Sequence, residues 1–201
     1  MMGRTAIVDY GAGNLMSVTN ALKFLGQESF ITADPSEMEK ADRIILPGVG
    51  AFPAAMRMIR EHGLEDAIKE QAARKPFLGI CLGMQMLFDE SDEIELTTGL
   101  GLIPGRVGKI KTGLKLPHIG WNGLEFKNPS PLLDGISDGA YVYFVHTFAA
   151  SVANGENLTA VCDYGGTVTA MVGTDHIFGC QFHPEKSGEV GLTMLKNFCR
   201  L

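Results

Sequence analysis

The sequence predicts an α/β fold with an open, mostly parallel sheet, helices on both faces and an antiparallel insertion. Three observations carry this expectation. Short apolar strand-type runs alternate with amphipathic helical runs through the first half of the chain. The connections between them are short and hold Gly, Pro or Asn, as βα units require. After about residue 101 the texture changes to short strands divided by Gly, Pro and Asn, which suits antiparallel pairing.

In order, residues 5–9 form a first strand, and residues 14–25 a helix with Leu15, Val18, Leu22 and Leu25 on one face and Asn14 as its N-cap. Gly11 and Gly13 follow the strand, but Met16 stands where a dinucleotide loop needs its third glycine, so no nucleotide site is expected there. Residues 28–32 read as a second strand, and Asp34-Pro35-Ser36 opens a polar connection with a short helix. Residues 43–46 are a third strand running into Pro47-Gly48-Val49-Gly50, where two glycines let backbone N–H groups approach a ligand. A helical region over 53–73 breaks near His62-Gly63, and a further strand leads to Cys81. Past 101, strands are expected near 106–111, 119–121, 141–146, 157–162 and 168–172. A buried strand over 177–182 and a helix over 190–199 close the chain.

Gly79-Ile80-Cys81-Leu82-Gly83 joins an apolar strand to the amphipathic run 84–88. That is the form of a nucleophile elbow with cysteine in place of serine, in which flanking glycines allow a sharp turn. At the helix N-terminus the thiol meets unpaired N–H groups, which favour thiolate. Far along the chain, Phe182-His183-Pro184-Glu185 ends a strand. With the chain extended, His183 and Glu185 project to one side, so that Glu185 orients the imidazole while its other nitrogen faces the thiol.

Composition bounds the function. With 201 residues the chain has the length for one sizeable domain over 1–201. A formal charge of −6 argues against nucleic-acid binding, and the basic stretch 106–115 reads as a solvated or partner-facing edge. Residues 1–9 run straight into a strand without a leader-type apolar core, and no apolar run is long enough to span a bilayer. A cytoplasmic protein is therefore expected. Cys81, Cys162, Cys180 and Cys199 lack metal or redox spacing, and the five histidines form no ligand pattern, so no disulfide framework, metal or cofactor is expected.

Six stretches in order resemble the class I, triad-type glutamine amidotransferases, and among them the glutaminase subunits of imidazole glycerol phosphate synthase. They are Asp9-Tyr10-Gly11-Ala12-Gly13-Asn14, Pro47-Gly48-Val49-Gly50, Gly79 to Gln85, His118-Ile119-Gly120-Trp121-Asn122, Tyr143-Phe144-Val145-His146 and Gln181 to Ser187. The resemblance spans essentially the whole chain. It implies Cys81 as nucleophile, His183 as acid and base, and Glu185 as its orienter. It further implies an oxyanion hole from Val49, Gly50 and Leu82, and glutamine binding by Gly48, Gln85, Glu93, Thr147 and Phe148. Where the family often has Ser-Tyr, this chain has Thr147-Phe148, which keeps one hydroxyl and loses the other. Asn14, Trp121, Tyr143 and Lys186 match positions facing a (β/α)₈-barrel cyclase subunit, the implied partner. Other readings fit parts of this pattern: a cysteine hydrolase acting on esters or peptides, a non-enzymatic regulatory protein, and a different amidotransferase of the same superfamily.

Overall fold

A computed structural model describes residues 3–201; Met1 and Met2, on which part of the N-terminal expectation rests, lie outside the described residues. The chain runs β1 (Thr5–Val8), α1 (Leu15–Phe24), β2 (Ser29–Thr32), α2 (Pro35–Glu39), β3 (Arg43–Gly48), α3 (Phe52–Glu61), α4 (Glu65–Ala72), β4 (Phe77–Cys81) and α5 (Leu82–Gln85). It continues through β5 (Phe88–Ser91), β6 (Thr97–Thr98), β7 (Ile103–Lys109), β8 (His118–Gly123), β9 (Glu125–Phe126) and β10 (Tyr141–His146). The remainder is β11 (Phe148–Val152), β12 (Leu158–Asp163), β13 (Thr167–Thr174), β14 (Ile177–Cys180) and α6 (Gly188–Phe198).

The main sheet has the order β2-β1-β3-β4-β14-β13-β12-β9. Its first five strands are parallel and the last three pair antiparallel. Strands β1, β3 and β4 are buried along their whole length, which is why they read as continuous apolar runs. Alternate residues serve two cores. Ala6, Val8, Ile44 and Leu46 pack under α3, α4 and α5, while Ile7, Ile45, Leu78 and Ile80 pack under α1 and α6. Among the described residues no helix is long and apolar enough to cross a membrane.

Several expectations need correction. The stretch after 101 is not one insertion: β12 and β13 extend the main sheet, β8 and β10 form a separate ribbon, and β11-β7-β5-β6 form a second sheet. Helix α5 is a single turn rather than a helix through Phe88, because Phe88 opens β5 and buries its ring in the core while pairing with Ile103 of β7. Asn14 makes no capping bond to α1; its side chain turns elsewhere. Strand β11 has no counterpart among the expected strands, since Ala149, Ala150 and Ser151 carry little strand signal of their own.

The elbow glycines make room for the turn as expected, and they do so without taking positive φ. Among the glycines with positive φ, neither Gly79 nor Gly83 appears; Cys81 itself carries φ 56°. The glycines are needed for close approach: a Cβ on Gly83 would fall 1.8 Å from the Leu46 carbonyl oxygen, and one on Gly79 would fall 2.7 Å from the Gly83 carbonyl oxygen. Backbone therefore packs on backbone where α5 crosses β3 and β4. Gly83→Ala is expected to destabilise the chain by about 3 kcal/mol or more in denaturant unfolding, because the contact is with main chain that has no room to yield. Gly113→Ala, which meets nothing within 4 Å, serves as control and should stay within about 0.5 kcal/mol.

Candidate active site

The carboxyl ends of β3, β4 and β14 lie side by side, because β3 pairs with β4 and β4 with β14. Each delivers one part of a site, as expected for an open parallel sheet. From β3 comes the Pro47–Gly50 turn, from β4 Cys81, and from just past β14 His183. A cavity of about 350 Å³ opens there, lined among others by Val49, Gly50, Cys81, Leu82, Thr147 and His183, with Gln85, Glu93 and Phe148 completing the wall. Of the residues assigned to chemistry or glutamine, Gly48 and Glu185 alone stand behind this lining.

Cys81 sits at the strand-to-helix junction with φ 56° and ψ −112°. A non-glycine residue at positive φ is strained, and the surrounding packing holds it there. Its sulfur lies 4.0 Å from the Val145 carbonyl oxygen and 3.8 Å from Gln181 Nε2, which is placed to donate to it. Burial pushes the thiol of Cys162 up to about 12, and raises Cys180 and Cys199 as well. These three are core residues.

His183 and Glu185 meet, but not through extended chain. Pro184–Lys186 is a turn of 3₁₀-helix, which folds the Glu185 carboxylate back onto His183, with Nδ1 to Oε1 2.8 Å. Both side chains are enclosed. Burial by itself lowers the His183 pKa, but bonding to Cys81 and Glu185 and their negative charge outweigh it, and the net shift is upward to about 9. The second oxygen of Glu185 is buried without a partner. Asn14, expected as a helix cap, instead directs Nδ2 to Glu185 Oε1 at 3.4 Å.

Two of the residues expected to bind glutamine, Gln85 and Phe148, are tied to each other. Gln85 Nε2 donates to the Phe148 carbonyl and to Gln181 Oε1, both at 2.9 Å. His146 Nδ1 lies 2.8 Å from the same Phe148 carbonyl, and His146 is linked through His118 to Asn122. What Phe148 offers is backbone, so the missing tyrosine hydroxyl leaves this bonding intact. Glu93 accepts from the Phe52 N–H at 2.8 Å, at the start of α3. Burial lowers His146 to about 4, so its bonding is that of a neutral imidazole at pH 7. Gln181 is a site residue that sequence reasoning misses. A signal for it exists: a polar side chain at the end of a fully apolar strand, two residues before the histidine.

The residues assigned to a partner surface lie on the far side of the same group. Trp121 and Tyr143 face each other across the β8–β10 ribbon, ring centroids 5.9 Å apart. Trp121, Ile119 and Tyr141 are more than half exposed. The Tyr143 carbonyl accepts from the His183 N–H at 3.0 Å, and the Tyr143 N–H donates to Ser187 Oγ. Lys186 is exposed in the turn that carries Glu185.

The raised pKa of His183 has a testable sign. From the ordinary 6.5 to about 9, the folded state holds a proton that the unfolded chain releases. Its contribution to stability is complete below about pH 6.5 and is lost as pH rises through about 9. A titration of the His183 ring followed by NMR should show a midpoint well above 6.5, and Glu185→Gln should bring it down. A midpoint at or below the ordinary value would contradict the assigned ion pair.

Comparison with known proteins places these features in a family. The model of the family described as glutamine amidotransferase class-I matches residues 6–201. The imidazole glycerol phosphate synthase subunit HisH of a Bacillus cereus strain is 49% identical over 194 residues, covering 96% of this chain and 92% of the relative. The protein of the same name from Bacillus anthracis is 47% identical over the same coverage. Among solved structures, PurLQS from Thermotoga maritima superposes with a TM-score of 0.78, at 23% identity over 100% of this chain and 99% of that one. A glutamine amidotransferase from the same organism gives 0.65 at 17% identity, over 98% of this chain and 82% of that one. The chain belongs to the class I glutamine amidotransferase family.

Proposed function

We propose that this chain, acting as one domain over 1–201, is the glutamine-hydrolysing subunit of an imidazole glycerol phosphate synthase in histidine biosynthesis. The observation that carries the reading is the convergence of Cys81 and His183 on one cavity, with Glu185 bonded to His183 from behind it, in a chain nearly half identical to relatives bearing that name. Localisation in the cytoplasm follows from that biosynthetic role.

The Cys81 thiolate attacks the side-chain amide carbon of glutamine, giving a tetrahedral oxyanion. The N–H of Leu82 and one from the Val49-Gly50 turn hold the negative oxygen. His183, charged at neutral pH, protonates the departing ammonia and becomes the neutral base. It then takes a proton from water, which attacks the glutamyl thioester and releases glutamate. Glu185 keeps Nδ1 protonated throughout. Gln85, Glu93 and the backbone around Gly48, Thr147 and Phe148 hold the amino acid end of the substrate. Gln181 supports the sulfur and Gln85 together. No cofactor enters any step.

Ammonia released into neutral water is mostly protonated and non-nucleophilic, so a synthase must receive it directly. The partner is a (β/α)₈-barrel cyclase subunit, which converts a phosphoribulosyl formimino ribonucleotide into imidazole glycerol phosphate and an aminoimidazole carboxamide ribotide. Asn14, Trp121, Tyr143 and Lys186 face it. Asn14 and Tyr143 bond to Glu185 and His183 respectively, so docking reaches the triad through them. Docking also reorients the Val49-Gly50 turn. Losing one oxyanion donor costs about 3 kcal/mol, on the order of a hundredfold in rate; the isolated chain is therefore nearly silent.

Glutamate formation from glutamine, measured alone and with the cyclase plus its ribonucleotide, should rise on the order of a hundredfold or more with partner. Cys81→Ala should remove at least about a thousandfold of that activity. Hydrolysis of simple esters with no action on glutamine would favour a general cysteine hydrolase, and full activity in Cys81→Ala would sink the mechanism.

A further inference from the structure

Tyr10 lies just past the end of β1, with its ring fully buried against the elbow. Its hydroxyl is enclosed and has no hydrogen-bond partner. Burial, with the negative charge of Cys81 adding to it, pushes its pKa well above the ordinary range for tyrosine. Native structures rarely leave a buried hydroxyl unmet, because the lost hydration is not returned.

The position of this hydroxyl points to what it lacks. A Cβ built on Gly48 would lie 2.9 Å from the Tyr10 oxygen and 2.7 Å from the Gly83 nitrogen. In a strand the Cβ direction stands out of the sheet plane, away from the N–H and C=O groups that form the ladder. Gly83 is in the first turn of α5, where helix geometry gives an N–H no acceptor within the helix. The Tyr10 hydroxyl and the Gly83 nitrogen therefore close in on the same face of Gly48, together with the Leu82 Cβ at 2.9 Å from the same point. The acceptor hinged at that point is the carbonyl of Gly48.

We infer that Tyr10 is a positioning residue for the Pro47–Gly50 turn. When the Gly48–Val49 peptide rotates out of the sheet plane, its carbonyl is received by the Tyr10 hydroxyl and the Gly83 N–H. The peptide is planar and trans, so the Val49 N–H swings the opposite way in the same motion. Val49 is on the cavity wall and Gly48 is not. Tyr10 thus biases the turn between two states without touching glutamine: its hydroxyl is unmet in the state described and met in the rotated one. Gly48 has to be glycine for both reasons, since a side chain would block the hydroxyl and the rotation alike. The inference rests on the oxyanion role proposed for this turn.

Tyr10→Phe tests it, because the change keeps the ring and removes the hydroxyl alone. The free Tyr10→Phe chain should unfold at a temperature at least as high as the parent, since an unmet polar group is gone. In complex with the cyclase and its ribonucleotide, kcat for glutamine should fall about tenfold, the worth of one good hydrogen bond, with KM unchanged. An ordinary core contact would do the reverse, lowering the unfolding temperature, and that result overturns the inference. Full stimulation of Tyr10→Phe beside a fully stimulated parent overturns it alone, whereas a parent complex that hydrolyses no glutamine overturns this inference and the glutaminase reading together.

Discussion

Where α5 crosses the sheet, the Leu46 carbonyl of β3 occupies the space in which a side chain on Gly83 would begin. Helix and strand are in backbone contact, and this distance sets the rest of the site. It fixes the Leu82 N–H and Cys81 against the turn that follows β3, and it leaves Cys81 no relaxed path from strand to helix. The residue takes φ 56° as a result. Strain of this kind costs about 1–3 kcal/mol, and it is held by the tight packing of β3, β4 and α5 rather than by any bond to the thiol. The position of the sulfur is thereby set by main chain, with little freedom left to the side chain.

Electrostatics then follows from burial. His183 and Glu185 are enclosed, and in isolation burial drives an imidazole neutral. Here the neighbouring negative groups prevail and the ring is held charged. A buried pair of this sort is weak evidence for stability, because desolvation offsets most of the attraction; its value is that it fixes which nitrogen carries the proton and where the ring points. The same pair is reached from outside the cavity through Asn14 and the Tyr143 carbonyl. The Asn14 side chain, the Tyr143 backbone and the buried His183–Glu185 pair are thus one connected group, and a change at one end has a direct physical route to the other.

Much of this is legible in the sequence, and what is not has identifiable reasons. The parallel core strands are legible because burial on both faces writes an unbroken apolar run, as in Ile44-Ile45-Leu46. Cys81, His183 and Glu185 are legible because an elbow and a strand-ending His-Pro-Glu are locally encoded. The meeting of His183 with Glu185 is legible only through the wrong backbone: periodicity favours extended chain, while Pro184 starts a 3₁₀ turn. The placing of β12 and β13 in the main sheet is not legible, since they join it through β14, whose pairing with the distant β4 leaves no local signature. Asn14 satisfies the rule for an N-cap, yet tertiary contact with Glu185 claims its side chain. Gln181 leaves only the faint signal of a polar residue ending an apolar strand, and Tyr10 owes its interest to three-dimensional burial alone.

The most direct measurement is mass spectrometry of the complex stopped with acid during glutamine turnover. A glutamyl thioester is expected on the peptide carrying Cys81 and none on those carrying Cys162, Cys180 or Cys199. Turnover with no adduct on Cys81, or an adduct on another cysteine, would contradict the nucleophile assignment on which the mechanism rests.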